Sequence, residues 1–160
     1  MAPPQDIVVK FVDRYGKGAH ELLAKSDLAP RLLYHGPVCL KDGEPSYESI
    51  SMVVMEHVDG TTLAVAEAVI DKERMEEVRS QVKKVIGLLH DHNFVFGDLR
   101  LPNIMITRDM KVRLIDFNWA GVDGQAKYPL LISQEIGWPE GVKASALITR
   151  EHDLDMLKRL

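Results

Sequence analysis

Only one cysteine, Cys39, occurs in the 160 residues, so no disulfide can close within the chain, and a reducing compartment suits it. Long apolar runs are missing as well. The most apolar stretch, Leu63 to Ile70, is short, is interrupted by Glu67, and cannot span a bilayer. No long basic run is present, and 20 basic against 24 acidic residues leave a net charge of −4, which speaks against an extended nucleic-acid footprint. The opening Met1-Ala2-Pro3-Pro4-Gln5-Asp6 has neither the basic nor the apolar region of a signal peptide. These absences set the expectation of a cytoplasmic or nuclear protein that engages neither membrane nor nucleic acid. The remaining composition, 46% hydrophobic and 28% charged, is that of a globular chain. It is long enough for one domain with a real core, or for two small lobes sharing a cleft.

The local pattern is mixed. Ile7-Val8-Val9-Lys10-Phe11-Val12 is β-branched and reads as a strand, followed by a connection over Asp13 to Gly18 and a short helix over Ala19 to Lys25 with Leu22 and Leu23 inward. Arg31 to His35 is a second strand ended by Gly36-Pro37, and Cys39 to Ser49, with Asp42-Gly43 and Pro45, is a turn or loop. Ile50 to Glu56 is an apolar strand, broken by His57-Val58-Asp59-Gly60. Asp71 is placed to cap a helix running to about His92, with Val78, Val82, Val85, Ile86 and Leu89 on one face. Asn103 to Thr107 and Lys111 to Ile115 read as a hairpin around Arg108-Asp109. Residues 120 to 145 look irregular. A last helix begins near Thr149, with Leu154, Leu157 and Leu160 spaced to face one way. The expectation is an α+β chain: residues 1–57 a small lobe of three strands and one helix, residues 58–160 a larger helical lobe with a hairpin.

One pair of signatures carries chemistry. Phe96-Gly97-Asp98-Leu99-Arg100-Leu101-Pro102-Asn103 is followed by Leu114-Ile115-Asp116-Phe117-Asn118. Asp98, in a loop after the long helix, is placed to orient an attacking hydroxyl, an effect typically worth ~10²–10⁴ in rate. Asn103 can turn an amide oxygen toward a divalent ion, and Asp116, at a strand end, can ligate the same Mg²⁺. Two carboxylates ~4 Å apart repel by about 4 kcal/mol at an effective dielectric near 20, so converging them requires a cation or donors. Arg100 is one such donor and could also reach a transferring phosphate.

These residues resemble the protein-kinase-like superfamily, through the Asp98-Leu99-Arg100-x-x-Asn103 spacing, the Ile115-Asp116-Phe117 strand end and the long helix before them. The fuller string through Gly121 is especially similar to protein-kinase-like domains abundant in fungi, and the Gly97-Asp98 step to aminoglycoside and choline phosphotransferases. The resemblance implies a two-lobed fold and Mg²⁺-ATP as cofactor. It implies Lys10 on the ATP phosphates, Glu21 paired with Lys10, and Met55, Glu56 and His57 in an adenine-contacting hinge. The catalytic set is then Asp98, Arg100 and Asn103, with Asn103 and Asp116 on the metal.

The chain departs from that pattern in four places. Phe96-Gly97 replaces the His-Arg of His-Arg-Asp, removing the arginine that reads a phosphorylated activation loop, so such phosphorylation is expected not to switch it. Asn118 stands where Asp-Phe-Gly has glycine, a residue type that tolerates left-handed backbone. No Ala-Pro-Glu follows, so the larger lobe is short. No G-x-G-x-x-G precedes the Lys10 strand, so ATP is held without that lid, or the gene product is longer, or catalysis has been lost. Gly16-Lys17-Gly18 could offer amides to a phosphate, with an ordinary helix start as the simpler reading. His90, His92 and His152-Asp153 read as helix-end residues rather than a metal site, since positions two apart do not share a helix face. The partners implied are a nucleotide and a hydroxyl-bearing protein or small-molecule acceptor. An exposed sheet edge of the reduced small lobe makes self-association a further expectation. An enzyme and an inactive kinase-like binding module both remain open.

Overall fold

β-branched residues fit a pleated surface better than a helix, and the two strongest runs of them form strands. In the computed structural model, which describes residues 5–38 and 49–160, β1 spans Ile7–Val12, β2 Leu32–Pro37 and β3 Ser51–Glu56. They form one antiparallel sheet in the order β1-β3-β2, with Lys10 opposite Val53. The expected turn from Cys39 through Asp42-Gly43 and Pro45 lies outside the described residues. Side chains alternate across a strand. Val12, Val53 and Met55 therefore form a buried patch on the inner face, and Lys10 shares that face. Ile7, Val9 and Phe11 on the other face are 51%, 46% and 62% exposed, and β1 is an edge strand.

Helix α1, Lys17–Ala24, follows β1 and buries Ala19, His20 and Leu23, with Leu22 partly covered. Ala19 and Leu23 belong to the main core rather than to the patch under the first sheet. After β3, the expected break at Gly60 leads straight into β4, Gly60–Thr62, and the single-turn helix α2, Leu63–Ala66. Helix α3, Lys72–Asp91, starts where its cap predicts, with the Asp71 carboxylate accepting from the Arg74 amide at 2.8 Å. Val78, Val82, Val85, Ile86 and Leu89 are all buried, as the 3.6-residue period requires.

A two-residue strand, β5 (Phe94–Val95), leads into the catalytic-type loop. The hairpin β6 (Ile104–Thr107) and β7 (Val112–Leu114) comes next, and β4 pairs on β6. Residues 120 to 145 are mostly turns, with β8 (Gly121–Val122) paired to β5. Helix α4, Arg150–Lys158, is capped by Thr149, whose hydroxyl accepts from the His152 amide while His152 accepts from the Thr149 amide. Its inward face corrects the leucine expectation. Leu154 is exposed, and His152, Asp153 and Met156 point inward together with Leu160. The reason appears at the loop before Asp98, where a buried carboxylate is needed more than another methyl group.

Candidate active site

The loop from Phe96 to Asn103 is built by hydrogen bonds that the chain supplies from both sides. The Phe96 and Gly97 amides each donate at 2.8 Å to the Asp153 carboxylate, which is 1% exposed and also contacts His90 Nε2 at 3.0 Å. Buried amides without a partner are costly, so Asp153 fixes the loop's approach to Asp98. Gly97 has φ +80°, and a Cβ there would lie 2.8 Å from Ile148 Cδ1. A side chain at this position would be strained by the backbone and crowded by Ile148, so glycine is required.

Asp98 is buried, and each of its oxygens accepts a hydrogen bond. Arg100 donates to both of them, Nε at 2.5 Å and Nη2 at 2.8 Å, and Asn103 Nδ2 donates to the carboxylate and to the Asp98 carbonyl at 2.9 Å each. With its amide nitrogen committed, Asn103 has its oxygen left for a cation. Arg100 pairs with Asp98 and also feels the charge of Asp116. Its pKa is raised first by the hydrogen bond to Asp98, against opposing desolvation, and then by the charges of Asp98 and Asp116. Its guanidinium also sits 5.8 Å from the Trp138 ring centre.

Asp116 adopts the left-handed backbone, φ 65°, which the sequence reading assigned to Asn118. Its Oδ1 accepts from Lys10 Nζ at 2.9 Å, and Asn118 Oδ1 accepts from the same ammonium at 3.2 Å. Asn118 thus contributes a side chain to the lysine rather than a glycine-like turn. The expected Lys10–Glu21 pair does not form. Glu21 is exposed and lies 3.7 Å from Lys17, one turn back along α1. Gly16 does not offer its amide outward either, because it donates to the Phe117 carbonyl at 2.8 Å. A Cβ at Gly16 would meet the Ala120 carbonyl oxygen at 2.5 Å, so the glycine serves this close approach.

Behind Asp116, Phe117 is fully buried and stacks on His20, with ring centres 4.5 Å apart and planes within 6°. His20 is a site-adjacent residue that sequence reasoning missed. Its Nε2 meets the Pro30 carbonyl at 2.6 Å and its Nδ1 meets the Tyr15 hydroxyl at 2.7 Å. The neutral ring satisfies both contacts when Nε2–H donates and Nδ1 accepts. Burial lowers the His20 pKa, with the Pro30 hydrogen bond and Glu21 opposing it.

One cavity of about 430 Å³ gathers most of the expected residues. Lys10, Asn103 and Asp116 line it, as do Met55, Glu56, His57 and Val58, and Val8, Met105 and Ile115 add apolar walls. The volume falls within the ~300–1,000 Å³ usual for small-molecule sites. The Glu56 carboxylate is held by Arg113 at 3.3 Å and lies 3.9 Å from Arg31, while the His57 amide donates to the Asp6 carbonyl. Among the described residues, no three His, Cys, Asp or Glu side chains converge as a metal site, and no helix is long and apolar enough to cross a membrane.

A model of the protein kinase domain matches residues 38–146, more than half of the chain. The KEOPS complex subunit Bud32 of Pyrococcus abyssi is 40% identical over 75 residues, 45% of this chain and 32% of that protein. The serine/threonine-protein kinase PAK mbt of Drosophila melanogaster is 25% identical over 117 residues, 72% of this chain and 18% of that protein. The chain therefore spans less than a third of the length of these relatives. The Cydia pomonella granulovirus kinase PK-1 superposes with a TM-score of 0.69 at 17% identity, over 96% of this chain and 56% of that one, which shows the fold. The geometry around Asp98 and Asp116 and the match over residues 38–146 agree: the chain has an α+β protein-kinase-like fold and belongs to the protein kinase domain family.

Proposed function

We propose that the chain is a Mg²⁺-ATP-dependent phosphotransferase that passes the γ-phosphoryl group to a hydroxyl acceptor. The observation that carries this reading is the single cavity lined by Lys10, Asn103 and Asp116 together with the Met55–Val58 segment. Val8, Met55, Val58, Met105 and Ile115 suit a flat base, and Lys10 supplies a positive charge for phosphates. Mg²⁺ is held in many kinase-type sites by one or two side chains plus phosphate oxygens, so the Asn103 amide oxygen and the Asp116 carboxylate fit it without a third protein ligand. Bound there, the ion neutralises charge on the phosphates. Asp98 orients the acceptor hydroxyl and takes its proton once Arg100 turns from the carboxylate toward the phosphoryl group. Protein Ser/Thr acceptors gain support from the serine/threonine kinase similarity. The Gly97-Asp98 step keeps small-molecule acceptors in the proposal, while the likeness to fungal protein-kinase-like domains, itself part of the proposal, leans toward protein acceptors.

Thermal shift with ATP and Mg²⁺, separately and together, on the wild type and Asp116→Ala tests the reading. Stabilisation that needs both ligands and is lost in Asp116→Ala is expected; no Mg²⁺-ATP-dependent stabilisation would sink it.

A second reading, an inactive kinase-like binding module, is favoured by one observation: every Asp98 oxygen already accepts from Arg100 or Asn103. Binding without turnover, indifferent to Asp98→Asn, would select it. Self-association through β1 also belongs to the proposal. A second copy pairing antiparallel about Val9 sets Ile7 of one chain against Phe11 of the other, an apolar cross-strand pair. Sedimentation of Val9→Lys at matched concentrations tests it, since an unchanged association constant would exclude this edge.

A further inference from the structure

Residues 99–102, which join Asp98 to Asn103, also wall a concavity of about 370 Å³ outside the nucleotide cavity, and Pro102 lines both. Leu101, Ile136 and Met156 make much of its lining apolar. Its charged side chains are both arginines, Arg100 and Arg159, and no Asp or Glu is among the described residues lining it. The whole chain carries a net charge of −4, so any attraction for an anion here is local to these two arginines.

Arg159 has donors to spare. Its Nη1 donates to the Gly137 carbonyl, which steadies the guanidinium at the wall, and its other donors meet no acceptor among the described residues. Asp155, one turn earlier on α4, is taken by Lys158 at 2.8 Å. Arg100 commits Nε and Nη2 to Asp98, so its third nitrogen is the one left toward a ligand. A carboxylate, with two oxygens in one plane, is the group that the guanidinium fork matches best among protein side chains.

We propose that this concavity receives the phosphoryl acceptor as a protein segment in which an acidic residue lies close to the Ser or Thr. The acid pairs with Arg159, a neighbouring apolar side chain packs on Leu101, Ile136 and Met156, and the hydroxyl reaches Asp98. This rests on the phosphotransferase reading and narrows its acceptor. The connection to the reacting group is physical, since Arg100 belongs to the concavity and donates to the Asp98 carboxylate.

Fluorescence anisotropy on the whole chain tests it, with a labelled peptide carrying Glu and Leu on both sides of a central Ala, and with a counterpart in which Lys replaces Glu. The acidic peptide is expected to bind at least about fivefold more tightly, and saturating Mg²⁺-ATP should not displace it. Arg159→Ala should weaken it about fivefold, as for one exposed charge, and Arg159→Glu should invert the preference. Ala64→Glu, on an exposed helix position that lines the concavity, should weaken it as well, whereas Arg74→Ala, on the exposed start of α3, should not. With Ser as the central residue, the acidic peptide should be the better acceptor, and the Arg159→Ala loss should fall on KM more than on kcat.

Equal binding of the two peptides, displacement by Mg²⁺-ATP, or an unchanged preference in Arg159→Glu overturns the proposal. So does an unaltered affinity in both Arg159→Ala and Ala64→Glu. Displacement by malate at equal concentration overturns it in favour of a small hydroxy acid. The Mg²⁺-ATP thermal shift reads the phosphotransferase separately: its absence sinks that reading, while its presence with equal use of both peptides sinks only the acidic acceptor.

Discussion

Lys10 Nζ lies 2.9 Å from Asp116 Oδ1 and 3.2 Å from Asn118 Oδ1, while Glu21 faces solvent beside Lys17. The strand lysine is thus paired with Asp116 rather than with the helix glutamate. Both partners keep partial solvent access, at 27% and 37% side-chain exposure, so the pair adds little to folding. Lys10→Met is expected to change stability by only about 0–1 kcal/mol in the absence of ligand. The same substitution should remove the Mg²⁺-ATP-dependent thermal shift. Glu21→Gln should leave both unchanged, and a large effect of Glu21→Gln on nucleotide affinity would contradict the observed pairing.

Asp98 and Arg100 form a bidentate pair in which Asp98 is 5% exposed. Asp98→Asn keeps the shape and is expected to leave nucleotide affinity intact while lowering turnover by ~10²–10⁴. Arg100→Ala leaves a buried carboxylate with Asn103 as its remaining side-chain donor, which should destabilise the chain by about 1–3 kcal/mol. Urea unfolding midpoints should fall in both variants, because the amide of Asp98→Asn retains one acceptor oxygen and sets its NH₂ against a donor. Nucleotide affinity and turnover, not stability, therefore separate the two effects.

Asp153 accepts from two loop amides and contacts His90. Asp153→Ala orphans the Phe96 and Gly97 amides, at about 1–3 kcal/mol for each buried donor left unpaired. Asp153→Asn retains one acceptor oxygen and should recover part of that loss. Amide hydrogen exchange at Phe96 and Gly97 reads the result directly, with protection falling most in the alanine variant.

His20 makes stability depend on pH. Its folded pKa is lowered from 6.5, chiefly by burial. Above that value the ring is neutral in both folded and unfolded chains, and its contribution is fully present. As pH falls below it, the unfolded chain takes up a proton that the folded chain resists, so stability drops until the lowered folded pKa is passed. The unfolding midpoint should therefore decline between neutral pH and the acid side of 6.5. His20→Gln should flatten that decline without abolishing folding, and an identical pH profile for the variant would rule His20 out as its source.

Several elements were legible without the fold. The 3.6-residue spacing of Val78, Val82, Val85, Ile86 and Leu89 and the cap at Asp71 located α3, because helix periodicity and capping act within a few residues. The Asp98-to-Asn103 spacing identified the loop for the same reason, since the Asn103 amide bonds to a residue five positions away. Leucine spacing misread α4, because periodicity could not show that its inward face had to present Asp153 to two amides more than fifty residues earlier.

Residue types and short spacings alone thus determined the positions of β1 to β3, α1, α3, α4 and the β6–β7 hairpin, and marked the loop from Phe96 to Asn103, whereas β4, α2, β5 and β8 were not legible. The tertiary structure decided who meets whom: Lys10 with Asp116 across 106 residues, Asp153 with Phe96 across 57, and His20 under Phe117. Propensity, capping and turn formation are local energies that a sequence displays in order along the chain. Pairing between distant groups depends on how sheets and helices pack, and only that packing brings a lysine within 2.9 Å of one acid and leaves another in solvent.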